Sequence, residues 1–277
     1  MGLPQKGSDG LRDIRLEGPG YVRRGETVTL SCQYDMEKDT LYQVKWYRGT
    51  SEFYRYVPKE VPPTQVFTDA PQVQGIRVDI SGSNDHNVVL QSVPLEISGK
   101  YKCTVSAEGT FQTISHTKDL NVVAVGYESP FLSVTPDTFY GGETIKANCS
   151  IKPSAPAVNI TWFMDGKEIP GDKFQTFRIP DMNDSTVATT MSMLTYELPP
   201  AFTRIKLKCT GRLFDVYDES SVFAINRAPP QSHSSLSSSH LKPSGSSTAP
   251  SGFAQDSHQR LFLMLVHMQL IRLVLLT

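Results

Sequence analysis

The sequence is poor in the features that mark enzymes and nucleic-acid-binding proteins. Its 27 Lys and Arg residues nearly balance its 28 Asp and Glu residues, for a formal net charge of −1. Because nucleic-acid binding needs a basic surface, this balance argues against such a partner. The six histidines are scattered, and no G-x-S-x-G, H-E-x-x-H or P-loop spacing occurs. We therefore expect neither an enzyme nor a bound metal or cofactor.

Cysteine is also scarce, with four residues in the whole chain. None belongs to a C-x-x-C pair, which excludes the usual zinc and dithiol redox motifs. We expect two long-range disulfides instead, Cys32 with Cys103 and Cys149 with Cys209. Disulfides persist in oxidising compartments, so an extracellular protein is predicted.

The N-terminus lacks the apolar stretch of a signal peptide, since Met1–Leu11 is polar and contains glycine and proline. It also lacks a myristoylation motif, because Lys6 stands where Ser or Thr is required. Either the sequence lacks its true first exon, or the protein is not secreted by the ordinary route. Because two disulfides weigh more than an absent leader, we expect the first. Residues 1–10 are interpreted as disordered or as a truncated junction.

The residues that are present organise the first half of the chain around a disulfide. Cys32 lies in an alternating strand pattern, and Trp46 follows it by 14 residues. Tyr101 stands two residues before Cys103. These residues at these spacings are typical of the immunoglobulin sandwich, in which a disulfide joins two facing sheets and the indole packs beside it.

The rest of this region predicts the type of sandwich. About nine short strands, separated by turns every 8–12 residues or so, match a variable-type domain. One of these strands is predicted over Gly75–Ile80. We assign this first domain to residues 11–124.

The second half of the chain repeats the pattern. Gly-Glu-Thr followed by Val or Ile occupies positions 25–28 and 142–145, in each case shortly before a cysteine. The all-β prediction is therefore two tandem immunoglobulin-like sandwiches, with an unrelated β domain as the alternative for the second.

The second domain differs from the first in its spacing. Trp162 follows Cys149 by 13 residues, and Cys209 follows Cys149 by 60. The shorter separation leaves room for fewer strands, which favours a constant or intermediate type over residues 125–227. Leu207 replaces the tyrosine expected two residues before the last cysteine.

The composition changes after the second domain. Residues 228–260 are rich in Ser, Pro and His, which predicts a disordered stalk. Residues 261–277 are apolar but contain His, Gln and Arg, and they fall short of the roughly 20 residues that a spanning helix needs. A glycolipid-anchor signal fits better, with attachment at Ser247 and Ser244-Gly245-Ser246 as the other candidate site. The alternatives are an exposed C-terminal extension of a secreted protein or a gene-model artefact.

Three N-x-[ST] sequons predict glycosylation, at Asn148, Asn159 and Asn183. Asn148 alternates along its strand with Cys149 and is expected to face solvent. Asn183 lies in a polar loop and is predicted to be the most accessible. Asn148 is the weakest of the three, because the cysteine within its sequon competes for disulfide formation.

The strands around Trp46 are dense in aromatic residues. Lys45 and Tyr47 alternate with Trp46 and must face away from the core. The next strand offers two alternating sets, Phe53 with Arg55 and Val57, or Tyr54 with Tyr56. The charge of Arg55 favours the first set as the outward one.

Tyrosine and arginine on an exposed sheet are typical of protein-binding hot spots. The alternative is local packing under the proline-rich loop 58–71. The predicted partner-binding residues are Lys45, Tyr47, Phe53, Arg55 and Lys102, with Trp46, Tyr101 and Trp162 as core residues.

Two runs resemble a known family. L-Y-Q-V-K-W-Y-R at Leu41–Arg48 and E-F-Y-R-Y-V-P at Glu52–Pro58 closely resemble the beaten path family of insects. Similar motifs are C-Q-Y-D-M-E at Cys32–Glu37 and S-G-K-Y-K-C at Ser98–Cys103. The resemblance covers about residues 11–227, and its specific motifs are concentrated in the first domain.

The resemblance implies a neuronal recognition protein that is secreted or anchored at the cell surface. Members bind immunoglobulin-superfamily receptors of the sidestep type and act in axon guidance. By analogy, the first domain would bind the receptor through the sheet face that bears Lys45, Tyr47 and Arg55. The competing hypotheses are a soluble humoral protein of the immune type and a homophilic adhesion molecule.

Overall fold

A computed structural model describes residues 10–229 of the 277-residue chain. These residues form two β-sandwiches, so the all-β prediction is confirmed. Among them there is no helix of the length and hydropathy needed to cross a bilayer. The predictions for residues 1–9, for the stalk from residue 230 onward, for Ser247 and for the apolar tail lie outside the described residues.

The first sandwich has two sheets. In chain order its nine strands are β1 (Arg12–Glu17), β2 (Tyr21–Arg23), β3 (Val28–Asp35), β4 (Leu41–Arg48), β5 (Ser51–Tyr56), β6 (Thr64–Val66), β7 (Asn87–Leu90), β8 (Gly99–Ala107) and β9 (Thr113–Val123). One sheet contains β1, β3 and β7, and the other has the order β2-β9-β8-β4-β5-β6. Strand β2 pairs in parallel with β9, and the other pairs are antiparallel.

The core of this sandwich follows from the alternation of its strands. Along β3, apolar side chains at every second position point between the sheets, and the last of them is Cys32. Cys32 is joined to Cys103 across the core, with a Cα–Cα distance of 6.2 Å. Trp46 is fully buried beside them. The hydroxyl of Tyr101 donates to the backbone oxygen of Ile97 at 2.8 Å, which fixes the entry into β8.

The strand predicted over Gly75–Ile80 is wrong. Pro71–Val73 forms a 3-10 turn, and Gly75 then takes a positive φ of 85°, a conformation that ends strand geometry. Within the segment, Val78 makes only an isolated bridge to Leu90. Two backbone hydrogen bonds still hold the segment, from Asp79 N–H to the oxygen of Val89 at 2.9 Å and from Gln91 N–H to the oxygen of Arg77 at 2.8 Å.

The second sandwich has eight strands, which are β10 (Phe131–Thr135), β11 (Thr144–Ser154), β12 (Asn159–Met164), β13 (Lys167–Glu168), β14 (Phe174–Pro180), β15 (Ala188–Glu197), β16 (Arg204–Leu213) and β17 (Tyr217–Asn226). They form two sheets of order β10-β11-β15-β14 and β13-β12-β16-β17. Cys149 and Cys209 are bonded, with a Cα–Cα distance of 6.4 Å, and Trp162 is fully buried next to them.

The two sandwiches contact each other through backbone and side chains. Ala124 and Ala155 exchange two backbone hydrogen bonds of 2.8 Å each. The rings of Tyr21 and Phe214 stack with centroids 3.8 Å apart. Arg24 of the first sandwich forms an ion pair of 3.0 Å with an acidic residue of the second, Asp184. These contacts restrain the first sandwich against the second.

Candidate partner-binding face

The six-stranded sheet of the first sandwich carries a compact group of polar and aromatic side chains on its outer surface. Strand β4 contributes Lys45 and Tyr47, which alternate with buried neighbours. Cross-strand pairing places Arg55 of β5 opposite Lys45, and Lys102 of β8 opposite Tyr47. Glu52 of β5 also pairs with Tyr47. We call these five residues the recognition face.

Four of the five predicted partner-binding residues therefore lie together, and the outward prediction for Phe53 is wrong. Trp46 pairs with Tyr54, but the next residue of β4 pairs with Glu52, so Phe53 is an extra residue in a β-bulge. The bulge breaks the alternation and turns two successive side chains inward, so that Phe53 is 0% exposed. Its ring packs edge-on against Tyr101, with centroids 5.9 Å apart. Val57, from the same predicted set, is also buried.

Glu52 takes the outward position and organises the charges of the recognition face. Its Oε1 accepts a hydrogen bond of 2.7 Å from Nε of Arg55, and its Oε2 lies 3.6 Å from Nζ of Lys45. The hydrogen bond to Glu52 raises the pKa of the Arg55 guanidinium, which therefore stays charged. One carboxylate thus holds two cations in fixed positions on the sheet. Sequence reasoning missed Glu52, because its outward direction depends on the bulge.

Two of the three cations of the recognition face also contact aromatic rings. Nζ of Lys102 lies 4.4 Å from the centroid of the Tyr47 ring, and the Arg55 guanidinium lies 5.2 Å from that of Phe67. Burial raises the pKa of the Tyr47 hydroxyl, and the nearby charge of Glu52 raises it further, so this hydroxyl is neutral at physiological pH. The face therefore combines three cations, one carboxylate and a neutral phenol.

A hairpin tip next to this sheet presents an exposed aromatic ring. Phe111, between β8 and β9, is 86% exposed and has a φ of 54°, a left-handed conformation unusual for phenylalanine. The Asp39 carboxylate accepts backbone hydrogen bonds of 2.8 Å from Gly109 and 2.9 Å from Thr110. A Cβ on Gly109 would lie 2.8 Å from Oδ1 of Asp39, so a larger residue at this position would displace the carboxylate.

The hydrogen bonds to Asp39 also change its acidity. The hydrogen bond from the Thr110 hydroxyl, at 2.6 Å, is the main reason that the pKa of Asp39 is lowered to about 2. The ionised carboxylate therefore ties the hairpin tip to the loop between β3 and β4. The sequence signal for the exposed ring of Phe111 is its position directly after Gly109 and Thr110, since glycine is common in tight turns.

Comparison with known proteins identifies both sandwiches. The immunoglobulin V-set domain family matches residues 17–123, and the CD80-like C2-set immunoglobulin domain family matches residues 130–212. Both sandwiches are immunoglobulin domains. The predicted order of a variable-type domain followed by a constant or intermediate type is thereby confirmed.

Curated relatives extend the match across both domains. Cell adhesion molecule 1 of Mus musculus is 26% identical over 177 residues, which are 62% of this chain and 34% of that protein. Cell adhesion molecule 2 of Xenopus tropicalis is 24% identical over 176 residues, which are 62% of this chain and 36% of that protein. The chain is homologous to these immunoglobulin-superfamily cell adhesion molecules and spans about a third of their length. Membership of the beaten path family stays a prediction.

The predicted glycosylation sites all lie in the C2-set domain. Asn159 and Asn183 are exposed, whereas Asn148 is half-buried on β11. Across the described V-set and C2-set domains, no three His, Cys, Asp or Glu residues are grouped so that they could hold a metal ion.

Proposed function

We propose that this protein is an extracellular recognition protein whose V-set domain binds an immunoglobulin-superfamily receptor through the recognition face. The observation that carries the proposal is the arrangement of Lys45 and Arg55 around Glu52, beside Tyr47 and Lys102, on an open sheet. Homology to cell adhesion molecules supports a role at the cell surface.

The recognition face has the physical properties that favour protein binding. Arginine and tyrosine are enriched at the energetic centres of interfaces because they combine apolar area with directed hydrogen bonds. The contacts to Glu52 hold Arg55 and Lys45 before any partner arrives, which lowers the entropy lost on binding. Because the recognition face carries three cations and one carboxylate, the complementary receptor surface is acidic.

The finer identity of the receptor rests on the resemblance noted in the sequence. The runs at Leu41–Arg48 and Glu52–Pro58 support a receptor of the sidestep type and a role in axon guidance. They contain most of the recognition face, so the motifs that carry the resemblance and the proposed binding residues coincide. We further propose that the protein is held at the cell surface by a glycolipid at Ser247, or is secreted.

A matched pair of arginine variants tests the proposal. The full chain is used as bait against a panel of cell-surface immunoglobulin proteins, and each hit is measured by surface plasmon resonance. Arg55→Ala should weaken binding about tenfold or more, as expected for a hot spot. Arg15→Ala, an exposed arginine on β1 in the opposite sheet, should leave the affinity unchanged.

Other results of the same experiment would contradict the proposal. Unchanged affinity of a folded Arg55→Ala protein would remove the recognition face from the interface. Aggregation of beads coated with this chain alone would favour homophilic adhesion. Binding to microbial surfaces without binding to any receptor in the panel would favour a humoral protein.

A further inference from the structure

The outer face of one sheet in the C2-set domain is unusually apolar. Strands β10, β11, β15 and β14 lie side by side in this sheet. Phe131 on β10 is 67% exposed, Met193 on β15 is 51% exposed, and Phe177 and Ile179 on β14 are 44% and 45% exposed. Met191 of β15 pairs directly with Phe177. We call these five residues the apolar outer face. Apolar side chains grouped in this way usually mark a surface that something covers.

A glycosylation sequon lies within this face. On β11, Asn148 and Ser150 alternate with buried Ala147, Cys149 and Ile151, so both sequon side chains point outward. The sequon therefore occupies a central strand of the sheet.

The register of the strands places the sequon between the apolar side chains. Asn148 lies beside Met193 of β15. Ser150 lies beside Met191 of β15 on one side and Phe131 of β10 on the other. On its other side, Asn148 lies beside Ser133 of β10. Apolar residues therefore flank Ser150 on both sides and Asn148 on the β15 side.

The amide oxygen of Asn148 takes no part in the hydrogen bonding of the described residues. Its Oδ1 atom is buried and accepts no hydrogen bond from any residue in the described range 10–229. Its Nδ2 atom, to which a sugar would be joined, is not among the buried unpaired atoms of these residues. Burying an amide oxygen without a hydrogen bond costs free energy of folding. This cost indicates that Asn148 serves a purpose other than hydrogen bonding within the sheet.

We propose that Asn148 carries an N-linked glycan whose core sugars lie over the apolar outer face. In the transfer reaction, Nδ2 forms a bond to C1 of the first N-acetylglucosamine of a lipid diphosphate-linked oligosaccharide. The bond from C1 to the diphosphate oxygen breaks with its electron pair on that oxygen, the lipid diphosphate leaves, and the proton lost by Nδ2 is released to solvent. The transfer precedes pairing of β11, while the strand is still extended and accessible.

A glycan suits this face because sugar rings have both apolar and polar surfaces. The C–H faces of the core sugars can pack on methionine and phenylalanine, and their hydroxyls stay in water. A bulky glycan in the centre of the sheet also blocks a protein partner from the same surface. The position of the sequon therefore favours a saccharide over a second copy of the chain.

Two variants separate a covering glycan from an ordinary surface glycan. The full chain, expressed behind a secretion leader in a eukaryotic host, is compared with Asn148→Gln and with the matched variant Asn159→Gln. Glycopeptide mass spectrometry should find Asn148 occupied in the unaltered protein. Asn148→Gln should bind severalfold more of an apolar-surface dye such as anilinonaphthalene sulfonate, and Asn159→Gln should bind no more than the unaltered protein.

Enzymatic removal of the glycans from the folded protein avoids any effect of the substitution on folding. Amidase treatment without denaturant should raise dye binding severalfold while the circular dichroism spectrum stays unchanged. Adding Phe177→Ser to Asn148→Gln should abolish the increase in dye binding. An unoccupied Asn148 in the secreted protein, or unchanged dye binding after glycan removal, would overturn the proposal. Concentration-dependent dimerisation of an unoccupied protein through this face would assign it to a second copy instead.

Discussion

The two immunoglobulin domains share one core design and differ in what they present on the outside of their sheets. Each core has a disulfide next to a fully buried tryptophan. The outer face of the V-set sheet carries cations held by Glu52. The outer face of a C2-set sheet carries apolar side chains around a sequon instead. Folding constrains the inward positions of a sandwich, and the outward positions are free to serve other purposes.

The largest expected effect tests whether the two cores are equivalent. Trp46→Ala and Trp162→Ala should each lower the free energy of unfolding by about 3–5 kcal/mol, because each leaves a large cavity beside a disulfide. Chemical denaturation followed by circular dichroism measures both. A loss below about 1 kcal/mol in either variant would show that the two cores do not depend equally on their tryptophans.

Replacing each tryptophan by phenylalanine should show that their contributions to stability differ. Nε1 of Trp162 donates a hydrogen bond of 2.9 Å to Oγ of Ser192. Nε1 of Trp46 is buried and has no acceptor within residues 10–229. Trp162→Phe should therefore cost about 1 kcal/mol more than Trp46→Phe, since only the first loses a buried hydrogen bond. Equal losses in denaturation experiments would contradict this difference, and Ser192→Ala should reproduce part of the cost of Trp162→Phe.

Two aspartates should give the domains a similar response to acid. Hydrogen bonds from Thr110 and Thr186 are the main reasons that the pKa values of Asp39 and Asp184 are each lowered to about 2. A folded-state pKa below the ordinary value of 3.8 means that each carboxylate stabilises the fold above that pH. The contribution is lost as the pH falls from 3.8 towards about 2.

Asparagine variants measure that contribution in each domain. Asp39→Asn and Asp184→Asn should lower the thermal unfolding midpoint at neutral pH and match the unaltered protein near pH 2 or below. Asp184→Asn should also loosen the contact between the domains, because Asp184 pairs with Arg24 across it. Small-angle scattering can detect that second effect. A difference in midpoint that persisted at the lowest pH would contradict the assignment to these carboxylates.

The smallest expected effects come from exposed ion pairs, one in each domain. Lys100 lies 3.1 Å from Asp119 in the V-set domain, and Lys152 lies 2.7 Å from Glu128 near the start of the C2-set domain. Both pairs are largely in solvent, so Lys100→Ala and Lys152→Ala should each change stability by less than about 1 kcal/mol. A larger change measured by denaturation in either variant would indicate that the pair belongs to a wider network.

The recognition face was predictable in part. Alternation along β4 places Lys45 and Tyr47 outside, because a regular strand turns successive side chains to opposite faces. The same rule fails on β5, where the bulge turns Phe53 inward and leaves Glu52 outside. A bulge depends on how two strands pair, and no periodicity within one strand reveals it.

The spacing of cysteine, tryptophan and cysteine, which occurs twice, is enough to predict two sandwiches. The neighbours of the outward residues follow instead from the pairing of strands. That pairing places Glu52 between Arg55 and Lys45, Asp39 against the hairpin of Phe111, and Asn148 beside Met193. Periodicity within one strand sets the direction of a side chain, but its neighbours belong to strands that are distant in the sequence.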